Sequence, residues 1–309
     1  MSGLDWLVPV VLTVITASTP LLFAATGELV TEKAGVLNLG VEGMMLIGAI
    51  AAFATASSTG SAGLGVLAGA AAGMAMALVF AVLTLSLFAN QVATGLALTI
   101  FGVGASALVG AGFVGYALAP LPKLSLPGLS EIPIVGPLVF QQDGLVYLSF
   151  VAIAAVAWFL GRTRAGLVLK AVGESHDSAH AIGYDVVGVR YFATLFGGAM
   201  SGLAGAYLSL SYTPMWAENM TAGRGWIALA LVVFATWRPV RLLLGAYMFG
   251  AITILQLHAQ GAGIEVPSQF MSMLPYLATI LVLVAISRDR IKIRLNAPAC
   301  IGKVFRPAQ

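Results

Sequence analysis

About nine apolar runs, each long enough to cross the roughly 30 Å of a bilayer's hydrocarbon, leave this chain one kind of fold, a bundle of membrane-spanning helices. They begin near Trp6, Val41, Leu64, Val92, Leu145, Phe192, Trp226, Leu242 and Met271. Hydrocarbon offers no water to backbone N–H and C=O groups, so each span must satisfy them within itself. Hydrophobic residues make up 60% and charged residues 9% of the 309, values that a chain with a solvated, charged surface does not reach. The reading is an all-α polytopic membrane protein, one transmembrane domain over residues 1–309. Its first run has an acidic start and no clear cleavage site, so it reads as a retained span, with Pro9 and Pro20 placed to tilt or kink it.

Orientation follows from the basic residues. With the amino terminus outside, thirteen fall on the inner side (Lys33, Arg162, Arg164, Lys170, Arg190, Arg238, Arg241, Arg288, Arg290, Lys292, Arg294, Lys303, Arg306) and two, Lys123 and Arg224, outside. An odd span count then puts the carboxyl terminus and the tail 288–309 in the cytosol. No basic patch interleaved with aromatics points to nucleic acid. Cys300 is the single cysteine, which rules out an internal disulfide or a cysteine cage for metal.

Two polar, glycine-rich stretches interrupt the apolar pattern. The first, TGELVTEKAGVLNLGVEG from Thr26 to Gly43, must line water or protein, and its Asn38 and Glu42 can bond either a solute or backbone groups freed by the break. Of the carboxylates, only Glu42 reads as intramembrane. The second stretch, from Tyr212 to Trp226, offers Asn219, Gly223, Arg224 and Gly225 before helix resumes at Trp226, and the orientation rule puts it at the opposite face. Two such breaks in matching places of inverted halves mark a transporter's pathway. Asn90, at an inner turn, is a further pathway candidate, although an ordinary polar turn explains it as well. The proline-rich outer segment from Phe113 to Gly144 reads as extended, either a ledge or a connector. Gly65, Gly69 and Gly73, then Gly198 and Gly202, recur at four-residue spacing and permit close helix approach, while Met44, Met45, Met74 and Met76 read as core filler.

The largest inner loop, residues 161–191, holds a short helix from about Ser175 to Ile182 closed by Gly183, with Ala179, Ala181 and Ile182 as a small apolar knob. His176 and His180 have the spacing of two metal ligands on a helix, but no third ligand is near. The chain has no G-x-x-x-x-G-K phosphate loop.

Three stretches in order, EKAGVLNLGVEGMMLIGA, AVGESxxxAxxIGY and NMTAGRGWIALALVVFATWRP, resemble the permease subunits of bacterial ATP-binding-cassette (ABC) importers for nucleosides and simple sugars, a family that includes branched-chain amino-acid permeases. The resemblance runs from Pro20 to Ser287, and VEGMM favours nucleosides over sugars. It implies a bacterial inner-membrane complex with a second permease, a cytosolic ATPase carrying ATP and magnesium, and an external binding protein or lipoprotein; this chain would carry no cofactor or catalysis. It further implies that Gly173, Glu174, Ala179 and Gly183 lie on the segment coupled to the ATPase, to which Ala181 of the same short helix is added as a small contact residue, and that the two breaks, with Asn38, Glu42, Asn219, Arg224 and Trp226, face the pathway, to which Asn90 is added from its turn. Ser175-His176 and Ala235-Thr236 stand where the family commonly has Asn-Pro and a Gly-Gly or Gly-Lys pair. An ion-coupled transporter or channel is the alternative from another class, because broken helices serve it equally well.

Overall fold

Helix α1 (Leu7–Lys33) comes first, and α2 (Val41–Thr59), α3 (Ala62–Ala81) and α4 (Gln91–Gly110) follow. A short α5 (Val135–Phe140) precedes α6 (Gly144–Arg162), α7 (Arg164–Glu174), α8 (His176–Ala181) and α9 (Val186–Tyr207). The half-length α10 (Arg224–Phe234) and then α11 (Pro239–Gly261) complete the series. This computed structural model describes residues 7–125, 127–128, 130–132, 135–261, 270, 273, 277, 280–281, 284 and 296–306. Among them, seven helices are long and apolar enough to cross a membrane: α1, α2, α3, α4, α6, α9 and α11. The eighth expected span is α10, whose 11 residues make it short. At 1.5 Å per residue such a helix covers about 16 Å, half the hydrocarbon. The ninth, expected from Met271, falls outside the described residues apart from isolated positions.

Local sequence explains the element boundaries. Asn90, Asp143, Thr163, Ser175 and Asp185 each cap a helix by accepting a backbone N–H from the first turn. The α3 and α9 helices both end in a π-helical turn, at Val82–Ser86 and Leu208–Tyr212. The first interruption is shorter than the sequence suggests, because Thr26 to Lys33 continue α1 and only residues 34–40 leave the helix before α2.

Packing is closest where glycine removes the side chain. A Cβ on Gly73 would strike the Gly198 carbonyl and lie 2.7 Å from the Gly202 Cα, and one on Gly48 would lie 2.5 Å from that same Cα. The α2, α3 and α9 backbones therefore touch, as the four-residue glycine spacing implies. Met44, Met45 and Met76 are buried, but Met74 lies on the exposed face of α3 and is not core. The packing also has a repeat: α3 lies along α9 as α11 lies along α1, α2 against α9 as α10 against α1, and α2 against α3 as α10 against α11. The outer segment is extended around α5 and leans on the second interruption through bridges from Val114 to Trp216 and Ala117 to Met215.

Candidate functional site

In the first break every freed backbone group that bonds a side chain finds it within the protein. The Asn38 N–H donates to Glu28 Oε1 at 3.3 Å, the Leu37 N–H to Gln91 Oε1 at 2.8 Å, and Thr99 Oγ1 to the Leu39 carbonyl at 3.0 Å. Asn38 turns its own Oδ1 back to the Gly40 N–H at 2.9 Å and is fully buried. Of the two roles the sequence allows it, Asn38 fills the second, holding backbone rather than facing open space. The pathway candidate Asn90 is exposed and caps α4 through the Ala93 N–H at 3.0 Å, so its neighbour Gln91 is the residue that reaches the break.

The second break comes to the first. Glu42, one residue into α2 and 4% exposed, accepts Thr221 Oγ1 at 2.6 Å and the Gly223 N–H at 2.8 Å on Oε1, and the Gly225 N–H at 2.6 Å on Oε2. The last two donors belong to the start of α10, where no preceding turn supplies acceptors. A carboxylate suits that position because a helix amino terminus carries partial positive charge, and Glu42 also lies in the first turn of its own helix. Gly225 has to be glycine for this contact: a Cβ there would lie 2.6 Å from the Glu42 backbone. Gly223, at φ 82°, makes the turn into α10.

Around this joint the remaining pathway candidates divide. Arg224 is half-buried, with Nη1 donating to the Met220 and Thr221 carbonyls at 3.2 Å and its guanidinium 5.2 Å from the Tyr212 ring centroid. Trp226 is 38% exposed and, with Ala222 just before α10 and Val233 two turns on, belongs to an uncovered stripe interrupted by the buried Leu229. Asn219 is exposed at φ 54°, a left-handed turn position that asparagine tolerates.

Sequence reasoning passed over two further carboxylates. Glu28 and Glu32, four apart on α1, are each 1% exposed, so Glu42 is not the only carboxylate buried within the bundle. Their i, i+4 spacing was the available signal. Glu32 Oε2 accepts Trp237 Nε1–H at 2.5 Å, tying the last turn of α1 to the turn after α10, while Glu28 Oε2 has no hydrogen-bond partner among the described residues.

At the inner end, α8 is capped by Ser175 and followed by Gly183 at φ 92°, as expected. Its faces differ from the expected knob. Ala179 is 2% exposed, packed with Val172, Val186 and Phe305, so it does not point outward. Gly173 is also buried, because a Cβ there would strike the Lys33 carbonyl. The outward surface is Glu174, Ala181, Ile182, Gly183 and Tyr184, with Ile182 72% exposed. His176 and His180 flank the Phe305 ring, with centroids 5.2 and 5.4 Å away. Burial pushes the His176 imidazole below its usual pKa, and Arg190 adds to the effect.

Membrane helices broken at two points that meet inside the bundle, one break followed by a half-length helix, define a solute permease. The model of the family described as "Branched-chain amino acid transport system / permease component" matches residues 10–283, and the chain belongs to this family of ABC-transporter permeases. It is 43% identical over 310 residues to a putative glucose ABC transporter permease protein of Haloferax volcanii, covering 93% of this chain and 94% of the relative. A nucleoside ABC transporter permease protein of Lactococcus lactis is 32% identical over 303 residues, covering 92% and 93%. A guanosine ABC transporter permease protein of Bacillus subtilis is 31% identical over 280 residues, covering 86% and 88%. No solved structure matches the chain. The protein is thus a non-catalytic permease subunit of an ABC importer.

Proposed function

We propose that this chain forms half of the translocation pathway of an importer for a simple sugar, paired with a second related permease, a cytosolic ATPase and an external binding protein. The joint between the two breaks carries the reading, because the inverted halves of a transporter meet at its pathway and Glu42 fastens one half-length helix to the start of the other half's span. The uncovered stripe with Trp226, bordered by Asn219 and Arg224, is the surface we assign to the pathway and the second permease. Glu42 holds it from behind, while Asn38 holds the turn before α2 and Asn90 caps α4. The outward face of α8, Glu174 to Tyr184, is the surface we assign to the ATPase, since the chain has no phosphate loop of its own.

Sugar replaces the nucleoside suggested by VEGMM as the first choice, because the sugar-permease relative is 43% identical against 32% and 31% for the two nucleoside-type relatives. A nucleoside is the second reading, supported by those two relatives. The test is uptake by vesicles holding the complete complex, with ATP inside and labelled glucose or guanosine offered with the binding protein. ATP-dependent glucose uptake that unlabelled guanosine does not compete supports the sugar. Guanosine uptake alone supports the second reading, and uptake by the purified chain under an ion gradient without ATPase sinks the importer assignment.

A further inference from the structure

The stretch 296–306 does not hang free at the inner face. Its Cys300 N–H donates to the Gly173 carbonyl at 2.9 Å, at the end of α7, and its Gly302 N–H donates to the Gly35 carbonyl at 3.2 Å, in the turn that ends α1. Lys33 Nζ reaches the Asn296 carbonyl at 2.7 Å. Arg190, at the start of α9 and 1% exposed, bonds both sides of this contact: Nε donates to the Ala34 carbonyl at 3.2 Å and Nη1 to the Lys303 carbonyl at 3.1 Å. The Cys300 thiol lies 3.3 Å from both His176 Nδ1 and the Glu174 carbonyl, and Phe305 is buried between the two α8 histidines and against Ala179. One peptide thus touches the buried side of α8, the end of α7, the start of α9 and the first break.

We propose that residues 296–306 are a positioning strut, which holds α8 against the α1 turn so that a push on the outward face of α8 reaches the first break as a rigid displacement. Without the strut, α8 reaches the break only through α7, whose Gly173 sits against the Lys33 carbonyl, and through α9, whose Arg190 bonds the Ala34 carbonyl. With it, Cys300 and Gly302, two residues apart, bond α7 and the Gly35 turn directly. Densely packed, hydrogen-bonded units transmit displacement as bodies. The proposal rests on the assignment of the outward face of α8 to the ATPase.

The test uses the complete complex in nanodiscs. In one arm the chain is ended after residue 295, and in a second it carries Phe305→Ala, with Phe305→Tyr as the conservative rescue. Measured are ATPase co-purification, basal hydrolysis, hydrolysis stimulated by loaded binding protein, and solute moved per ATP. Expected is retained co-purification and basal hydrolysis, with stimulated hydrolysis down about 5-fold or more, the lower end for coupling between sites, and recovery in Phe305→Tyr. Loss of stability alone would leave solute moved per ATP unchanged in the complexes that assemble. Normal stimulation and stoichiometry in Phe305→Ala overturn the proposal, and that variant decides if the truncated chain fails to assemble. In a third arm the native Cys300 is alkylated by a maleimide in resting and vanadate-trapped complexes: protection in both is expected of a strut, and fast reaction in the trapped state overturns it. Ile182→Asp tests the underlying assignment separately. If it leaves co-purification and stimulation intact, the ATPase docks elsewhere, whatever the tail does.

Discussion

A carboxylate that accepts three hydrogen bonds inside an apolar bundle is held there by those donors, and they in turn depend on it. Glu42→Gln keeps an oxygen for the two Oε1 partners but turns an amide N–H2 toward the Gly225 N–H, orphaning at least that donor at a cost of about 1–3 kcal/mol. We expect a lower thermal midpoint of the solubilised chain and sharply reduced uptake, and Glu42→Ala should be worse because it strands all three donors. Unchanged uptake in Glu42→Gln would mean that the joint is not needed for transport. At the inner end, His176 gives a signed pH dependence. Its folded pKa is depressed, first by burial and then by Arg190 and Lys303, against an opposing contribution from Asp177. The stabilisation of the docked tail is therefore complete above the unfolded value of roughly 6.5 and is lost as pH falls toward the folded value. Hydrogen exchange of the backbone amides of Cys300 and Gly302, taken relative to the intrinsic exchange rate at each pH, should accelerate below that pH, and His176→Gln should flatten the profile.

At the scale of elements, helices and their spacing were legible because hydrocarbon length, capping residues and glycine periodicity act locally. Asp143, Ser175 and Asp185 cap where such residues should, and the α3 and α9 glycines meet. Partners distant in the chain were not legible. Nothing near Ala179 in sequence says that Phe305 covers it, and Asn38 could not be assigned to backbone or solute until Glu28, Gln91 and Thr99 were placed around it. The helical continuation from Thr26 to Lys33 was hidden for the same reason: its acids are tolerable only because other elements bury and bond them. Glycine contacts offer a controlled test. Gly202→Leu places a side chain against the Gly69 carbonyl and the Ala70 Cα, 3.1 Å away, and overpacking of this kind costs about 1–3 kcal/mol or more. Gly104→Leu, with nothing within 4 Å of its Cβ, is expected to behave as the native chain. Detergent gel filtration should show loss of the monodisperse peak in the first variant only.

At the scale of the molecule, the repeated packing and the placement of charge make one statement about sidedness. If α1–α3 and α9–α11 are inverted copies, the turn ending α1 and the start of α9 share one face, and the turn entering α2 and the start of α10 share the interior. Lys33 and Arg190 meet the stretch 296–306 at the first of these places, Arg190 on the backbone of the further basic residue Lys303. By the basic-residue rule we expect that face to be cytosolic. The outer segment, carrying Lys123 and bonded to the second break, then lies on the other side. Single cysteines introduced into a Cys300→Ser background test this in intact cells. A cysteine at Gly128, where a Cβ meets open space, should react with a membrane-impermeant maleimide from outside. A cysteine at Ile182, 72% exposed beside α8, should react only after permeabilisation, and more slowly when the ATPase is co-expressed. Labelling of both from the same side would break the link between repeat and topology. Equal rates at Ile182 with and without the ATPase would keep the topology but move the docking surface, because a side chain 72% exposed in the free chain cannot lie under a partner without losing access.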